Sequence, residues 1–255
     1  MEASKDLIKT VDLLLEIASL LMVSGANTNR VNLSIDRFAS ALQLNTSCFI
    51  SHKSIIMTVY ENDTTLSCTR VKNIPPYALN FSTISAVSKA SWKAVEEQWS
   101  LEQIAEEIET IKKQSRYPKI FVLLAVSMAG AGFCNIFNGD YLNMVVAFCS
   151  TFIGLLFFQL THKENYNVYL RIFSASLVAS TLAALGIVFN IGTRPEAALA
   201  TSILFLVPGV PLINSFTDFL DNNIINGLVR FTTGLMTVLA IALGLFITMI
   251  LFQLH

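Results

Sequence analysis

The sequence predicts an α-helical membrane protein, with about five transmembrane helices preceded by a small α+β cytoplasmic domain. Three observations carry that prediction. Of the 255 residues, 53% are hydrophobic and only 14% are charged, against roughly 25% charged in an average soluble domain, and the mean hydropathy is +0.59. The charges are unevenly placed: residues 1–117 hold 12 of the 17 Lys+Arg and 13 of the 18 Asp+Glu, and the last 138 residues carry ten charges in all. Five long apolar segments fill that second stretch. Such a composition excludes intrinsic disorder and an ordinary soluble enzyme, and a formal net charge of −1 offers no field to attract nucleic acid. The shift in charge density sets a boundary near Tyr117-Pro118, with an α+β domain over 1–117 and a transmembrane domain over 118–255.

Glu2, Asp6, Asp12 and Glu16 interrupt the N-terminus, and no basic stretch precedes an apolar core. It does not read as a signal peptide, so the first domain is expected to stay in the cytoplasm. Ile8, Val11, Leu15, Ala18 and Met22 recur at helical spacing until Ser24-Gly25, where glycine can take the left-handed cap. Asn27 or Thr28 can cap a second helix with Val31, Ile35, Phe38 and Leu42 on its buried face, so residues 6–43 read as an αα-hairpin. β-Branched residues over 54–60 and 64–71, around the turn Glu61-Asn62-Asp63, predict a hairpin, with Cys48–Ser51 as a candidate third strand. After Pro75-Pro76 two more helices are expected, over 79–98 and 101–114. Ser100 and Gln103 stand in capping-box relation at the start of the second, and Leu101, Ile104, Ile108 and Ile111 share one face.

Nothing in this domain has the spacing of a catalytic site. There is no Gly-rich phosphate loop, no GxSxG and no HExxH, and His52 beside Lys53 reads as a polar residue at a strand edge. Cys48, Cys68, Cys134 and Cys149 lack CxxC or zinc-ligand spacing and read as free thiols, so no metal and no cofactor is expected. A regulatory or gating role fits the domain best.

The apolar segments are Ile120–Phe137, Tyr141–Leu160, Ile172–Ile191, Ala197–Leu220 and Phe231–Leu254. At 1.5 Å per residue they reach about 27–36 Å, enough for a hydrocarbon core of roughly 30 Å. The short joint Asn138-Gly139-Asp140 leaves a re-entrant first pair open. Lys112, Lys113, Arg116, Lys119, Lys163, Arg171 and Arg230 flank one side and only Arg194 the other, which predicts N-terminus inside and C-terminus outside. Ser127, Ala129, Gly130, Ala131 and Gly132 suit close helix packing in lipid.

The fourth segment carries Pro208-Gly209-Val210-Pro211 near its middle. Pro208 cannot bond to the carbonyl of Leu204, nor Pro211 to that of Val207, so the break is expected to free two acceptors at mid-bilayer depth. Two readings are open: a packed kink, or a discontinuous helix lining a substrate site. Beyond the break Asn214, Ser215 and Asp218 share a helix face, with Arg230 the nearest basic residue. Asp218 reads either as a pathway carboxylate that carries a coupled proton or as a solvated interfacial acid.

Leu206-Val-Pro-Gly-Val-Pro-Leu-Ile-Asn214, followed by Asp218, Gly227 and Arg230, resembles the signature of the threonine/serine exporter family, and more closely that of its YjjP-like subunits. Ser24-Gly25-Ala26 with Arg30, Arg116-Tyr117-Pro118 and Gly139 match as well, over nearly the whole chain. Asn222 stands where the family tends to have glycine, which predicts a looser turn. The resemblance implies a subunit of a bacterial inner-membrane secondary transporter that exports threonine, serine or C4-dicarboxylates such as succinate, driven by the proton gradient. It also implies a second membrane subunit of YjjB-like type. Failing that, a homo-oligomer is expected, because five spans enclose little room for a transport path. Two readings from other classes stay open, a membrane-tethered hydrolase and a non-transporting membrane scaffold.

Overall fold

The computed structural model describes residues 2–61, 66–76, 78–114, 117–161 and 166–254, with side chains from Asp6 onward. The expected Asn62-Asp63 part of the hairpin turn, Arg116 and Lys163 lie outside the described residues. The expected fold class is found: an N-terminal α+β region is followed in sequence by four helices long and apolar enough to cross a membrane, or five spans if one bent pair counts as one. The chain groups into two compact units, one of residues 1–115 with 210–232 and the other of 116–209 with 233–255.

In the first unit, α1 (Glu2–Ser24) and α2 (Thr28–Ala41) form the expected helical hairpin. Asn27 caps α2 through its side chain, which accepts the Arg30 N–H. β1 (Asn45–Ile50), β2 (Ser54–Tyr60) and β3 (Ser67–Asn73) make an antiparallel sheet in that order, so the candidate third strand is real and begins three residues earlier than expected. Ile55, Met57 and Val59 alternate inward along β2 and are fully buried. They join Val11, Leu14, Ile17 and Leu21 of α1 and Phe38 of α2 in one core, each such side chain contributing about 1.5–3 kcal/mol. α3 (Phe81–Glu96) and α4 (Leu101–Lys113) complete it, and α4 opens with the expected Ser100–Gln103 capping box.

The second unit holds α5 (Lys119–Ile136), α6 (Tyr141–Leu160), α7 (Val168–Val188) and α8 (Pro195–Ser202). Its interior is built from small side chains: Gly154 lies against Ala179, Gly130 against Thr151 and Gly244 against Ser176. Hydroxyls bond across helices, Ser176 to the carbonyl of Ile241 at 2.8 Å and Ser180 with Thr248 at 2.6 Å. Of the small residues in the first span only Ser127 and Gly130 are buried, and Gly132 has open space around it.

The expected fourth span is discontinuous, as one of the two readings of its proline break has it. After α8 comes a 3-10 turn at Leu204–Leu206, and α9 begins afresh at Gly209 and runs to Leu220. Pro208 precedes α9 and Pro211 falls in its first turn, where a missing N–H costs nothing because it has no partner within the helix. The prolines therefore mark a helix start. α10 (Ile224–Leu251) begins seven residues before the expected fifth span, so Arg230 belongs to a helix and not to a loop.

Candidate functional site

Two helix ends in the first unit close in the same way. At the end of α1 the Ala26 N–H bonds to the Leu21 carbonyl and the Gly25 N–H to that of Met22, with Gly25 at φ +97°. At the end of α9 the Asn223 N–H bonds to the Asp218 carbonyl and the Asn222 N–H to that of Phe219, with Asn222 at φ +59°. Both are Schellman closures, which need one left-handed residue. Asn222 supplies it because asparagine tolerates that region better than any residue but glycine, so the turn is not the looser one expected.

The residues around these two turns meet. Asn214 donates from Nδ2 to the Gly25 carbonyl at 2.8 Å. Arg230 donates from Nη2 to the Ala26 carbonyl at 2.9 Å and also approaches the Met22 sulfur at 3.6 Å. The Thr28 N–H, at the open N-terminus of α2, donates to Asp218 Oδ1 at 2.9 Å. Arg230 Nε lies 3.3 Å from Asp218 Oδ2, with the Asp218 side chain 0% and the Arg230 side chain 10% exposed. That contact is at ion-pair distance but is not aligned as a hydrogen bond, and among the described residues neither Asp218 Oδ2 nor Arg230 Nη1, both buried, has a hydrogen-bond partner. Ser215 donates from Oγ to the Gly227 carbonyl at 2.9 Å, and a Cβ on Gly227 would meet Phe219 at 2.7 Å. Glycine is what lets α9 and the start of α10 approach so closely.

Asn214, Ser215, Asp218, Arg230, Gly25 and Ala26 are thus brought together, and Asp218 is a buried, paired carboxylate and not a solvated one. Arg30 is placed apart: its backbone takes the Asn27 cap and its side chain is exposed. Pro208, Gly209, Leu204 and Val207 belong to the second unit, and Pro211 stands at half-buried depth in the first turn of α9. The Leu204 carbonyl accepts the Val207 N–H at 3.1 Å and the Val207 carbonyl accepts the Gly209 N–H at 2.9 Å, so each keeps only its second lone pair for another donor. A Cβ on Gly209 would meet nothing within 4 Å.

Residues 12–252 match the family described as "Putative threonine/serine exporter". The chain belongs to the threonine/serine exporter family. Relatives within reach of this exporter-family chain include a "Probable succinate transporter subunit YjjP" of Klebsiella aerogenes, 26% identical over 95% of this chain and 94% of that protein. The protein of the same description from Escherichia coli K12 is 25% identical over 91% and 90%. A "Probable threonine/serine exporter" of Mycobacterium tuberculosis is 22% identical over 94% of this chain but only 46% of its own length. No solved structure matches.

Two residues of this cluster were not read from the sequence as part of the site. Thr28 enters through its backbone, which no side-chain pattern reveals. Asn226, buried, donates from Nδ2 to the Ile50 carbonyl at 2.8 Å and to Thr28 Oγ1 at 3.2 Å, and so ties the start of α10 to β1 and to the N-terminus of α2. A polar residue four positions before Arg230 on one helix face was the available hint. His52, in the β1–β2 turn, lies within the field of this site. Burial, then the positive charges of Arg230 and Lys53, hold its imidazole below the usual range. Cys48 on β1 is pushed up to about 12 by burial and by the Asp36 carboxylate, which leaves it an inert thiol.

Proposed function

We propose that this chain is one subunit of a proton-coupled secondary transporter that exports small carboxylate-bearing solutes across a bacterial inner membrane. The solute classes are threonine and serine or a C4-dicarboxylate such as succinate. The observation that carries the reading is the Asp218–Arg230 pair, fully and nearly fully buried on helices whose outer faces are apolar. A buried ion pair of this kind is costly to desolvate and stabilises little by itself, so a role in recognition or coupling accounts for it better than stability does. Family membership and the names of the two YjjP relatives support the transport reading, and the word "subunit" in those names supports a second membrane protein, of YjjB-like type. In this reading the α+β region faces the cytoplasm, the N-terminus is inside, and Asn214, Ser215, Asp218 and Arg230 line the solute path, with Asp218 carrying the proton.

Counterflow in proteoliposomes holding both subunits tests it, with labelled threonine and labelled succinate run separately, with and without a pH gradient. Asn214→Ala is expected to insert normally and to lose counterflow by about tenfold or more, as for one well-placed hydrogen bond in a solute path. Asp218→Asn is expected to abolish the response to the pH gradient while exchange persists. Export by Asp218→Asn at the wild-type rate with the wild-type pH dependence would place the coupling group elsewhere.

A further inference from the structure

The surroundings of the Asp218 carboxylate have the form of a receptor for a free carboxylate. One oxygen takes the first N–H of α2, a helix of 14 residues whose N-terminal end attracts anions through its unpaired N–H groups and its dipole. The other oxygen faces the guanidinium of Arg230. Arginine and carboxylate fit best when two parallel N–H···O bonds form. Here they do not: Arg230 Nη1 is buried and idle, and Asp218 Oδ2 is buried beside Nε without a bond. The tether explains the imperfect fit. Asp218 reaches this point from α9, whose position is already fixed by the Asn214 bond to Gly25 and the Ser215 bond to Gly227. A carboxylate on a free molecule has no such restraint and can turn to face Nε and Nη1 together.

We propose that Arg230 and the N-terminus of α2 form the carboxylate-binding position of the solute site, and that Asp218 occupies it as a tethered competitor when no solute is present. This rests on the transporter reading and adds to it the occupant, the backbone donor and the order of events. The solute's carboxylate takes Arg230 and the Thr28 N–H as the Asp218 side chain withdraws. A withdrawn carboxylate in a buried place is costly unless it takes a proton or meets a cation. A proton on Asp218 and a carboxylate on Arg230 therefore favour one another. The groups that meet the Asp218 carboxylate are the Arg230 guanidinium on α10 and the Thr28 N–H on α2, and His52 in the β1–β2 turn in turn feels the positive charges of Arg230 and Lys53. The α+β region thereby contributes a direct contact to the solute and not only a gate.

The test is binding of succinate and of threonine, each alone, to the purified full-length protein with its partner subunit, read by thermal shift and by the KM of counterflow. Removing the tethered charge with Asp218→Asn is expected to tighten binding of the carboxylate probe about tenfold and lower KM, although coupling is lost. Thr28→Pro removes the N–H of the first helical residue, a position that accepts proline after the extended Asn27, together with the Oγ1 that accepts from Asn226, a loss that Thr28→Ala shares. It is expected to weaken binding about tenfold more than Thr28→Ala, which keeps the N–H. Weaker binding in Asp218→Asn would make Asp218 a direct ligand of the solute and overturn the competitor. Equal loss in Thr28→Pro and Thr28→Ala would overturn the α2 contact, and that pair decides the matter alone if Asp218→Asn does not fold. An equal response to sulfate would reduce the site to a general anion hole and overturn it too. Absence of binding and counterflow for both probes in the wild type would instead overturn the transporter reading.

Discussion

The two compact units differ in the side chains that fill most of their interiors. Residues 1–115 hide Leu14, Ile17, Leu21, Phe38, Ile104 and Ile108 completely. Residues 116–209 and 233–255 hide Ala147, Ala175, Ala179, Ala183, Ser127 and Ser176, and they turn Ile120, Phe121, Leu142, Leu170, Leu243 and Phe246 outward. In water, association is driven by removing large apolar surface from the solvent. In lipid that drive is gone, because the tails are as apolar as leucine, and close contact of small residues with hydroxyl bonds between helices replaces it. The segment 210–232 shows both habits at once. It clusters with the α+β elements, yet it exposes Ile213, Phe216, Leu220, Ile225 and Leu228 and buries Ser215, Asp218 and Asn226. Its outer surface follows the membrane pattern and its inner surface holds a paired charge and an amide.

The comparison can be broken most strongly at the large core. Phe38→Ala removes a fully buried ring and is expected to cost about 3–5 kcal/mol, measured as the loss in denaturation midpoint of the full chain in detergent followed through α2 and the sheet. In the second unit the opposite change should hurt. A Cβ at Gly154 would stand 2.7 Å from the Ala179 Cβ, so Gly154→Leu is expected to cost about 1–3 kcal/mol by overpacking. Steric-trap unfolding in bilayers would check it. A neutral or stabilising result would show that α6 and α7 do not depend on close approach.

The smallest expected effect concerns pH. The His52 imidazole titrates below its usual range in the folded protein. Between that lowered value and the unfolded value near 6.5 the unfolded chain binds more protons. The contribution to stability is thus complete above about pH 6.5 and is lost as pH falls through that window. His52→Gln is expected to flatten the fall of the melting temperature on the acid side of about pH 6.5 without shifting the alkaline end of the profile. An unchanged slope would assign the acid sensitivity to other groups.

Local sequence was enough wherever one segment's own pattern decided its structure. The 3.6-residue apolar rhythm of α1, the Ser100–Gln103 box of α4, the alternation along β2 and the apolar lengths of α5, α6 and α7 all emerge near their expected bounds, because periodicity and capping are properties of neighbouring residues. Composition likewise separated a charged part from a lipid-suited part. The proline cluster was legible as a break and a discontinuous helix was one of its two readings; the choice between that and a packed kink depends on where the chain goes next. Hydropathy started the last span at Phe231 because Arg230 is a charge. The structure carries α10 back to Ile224 because that charge is paired with Asp218 and with the Ala26 carbonyl, 204 positions away in sequence. The same holds for the 190-residue separation between Thr28 and Asp218. The sequence determined which residues are costly to bury; only the tertiary structure decided which partners offset that cost, since a hydrogen bond or an ion pair depends on position in space and leaves no mark in the order of residues.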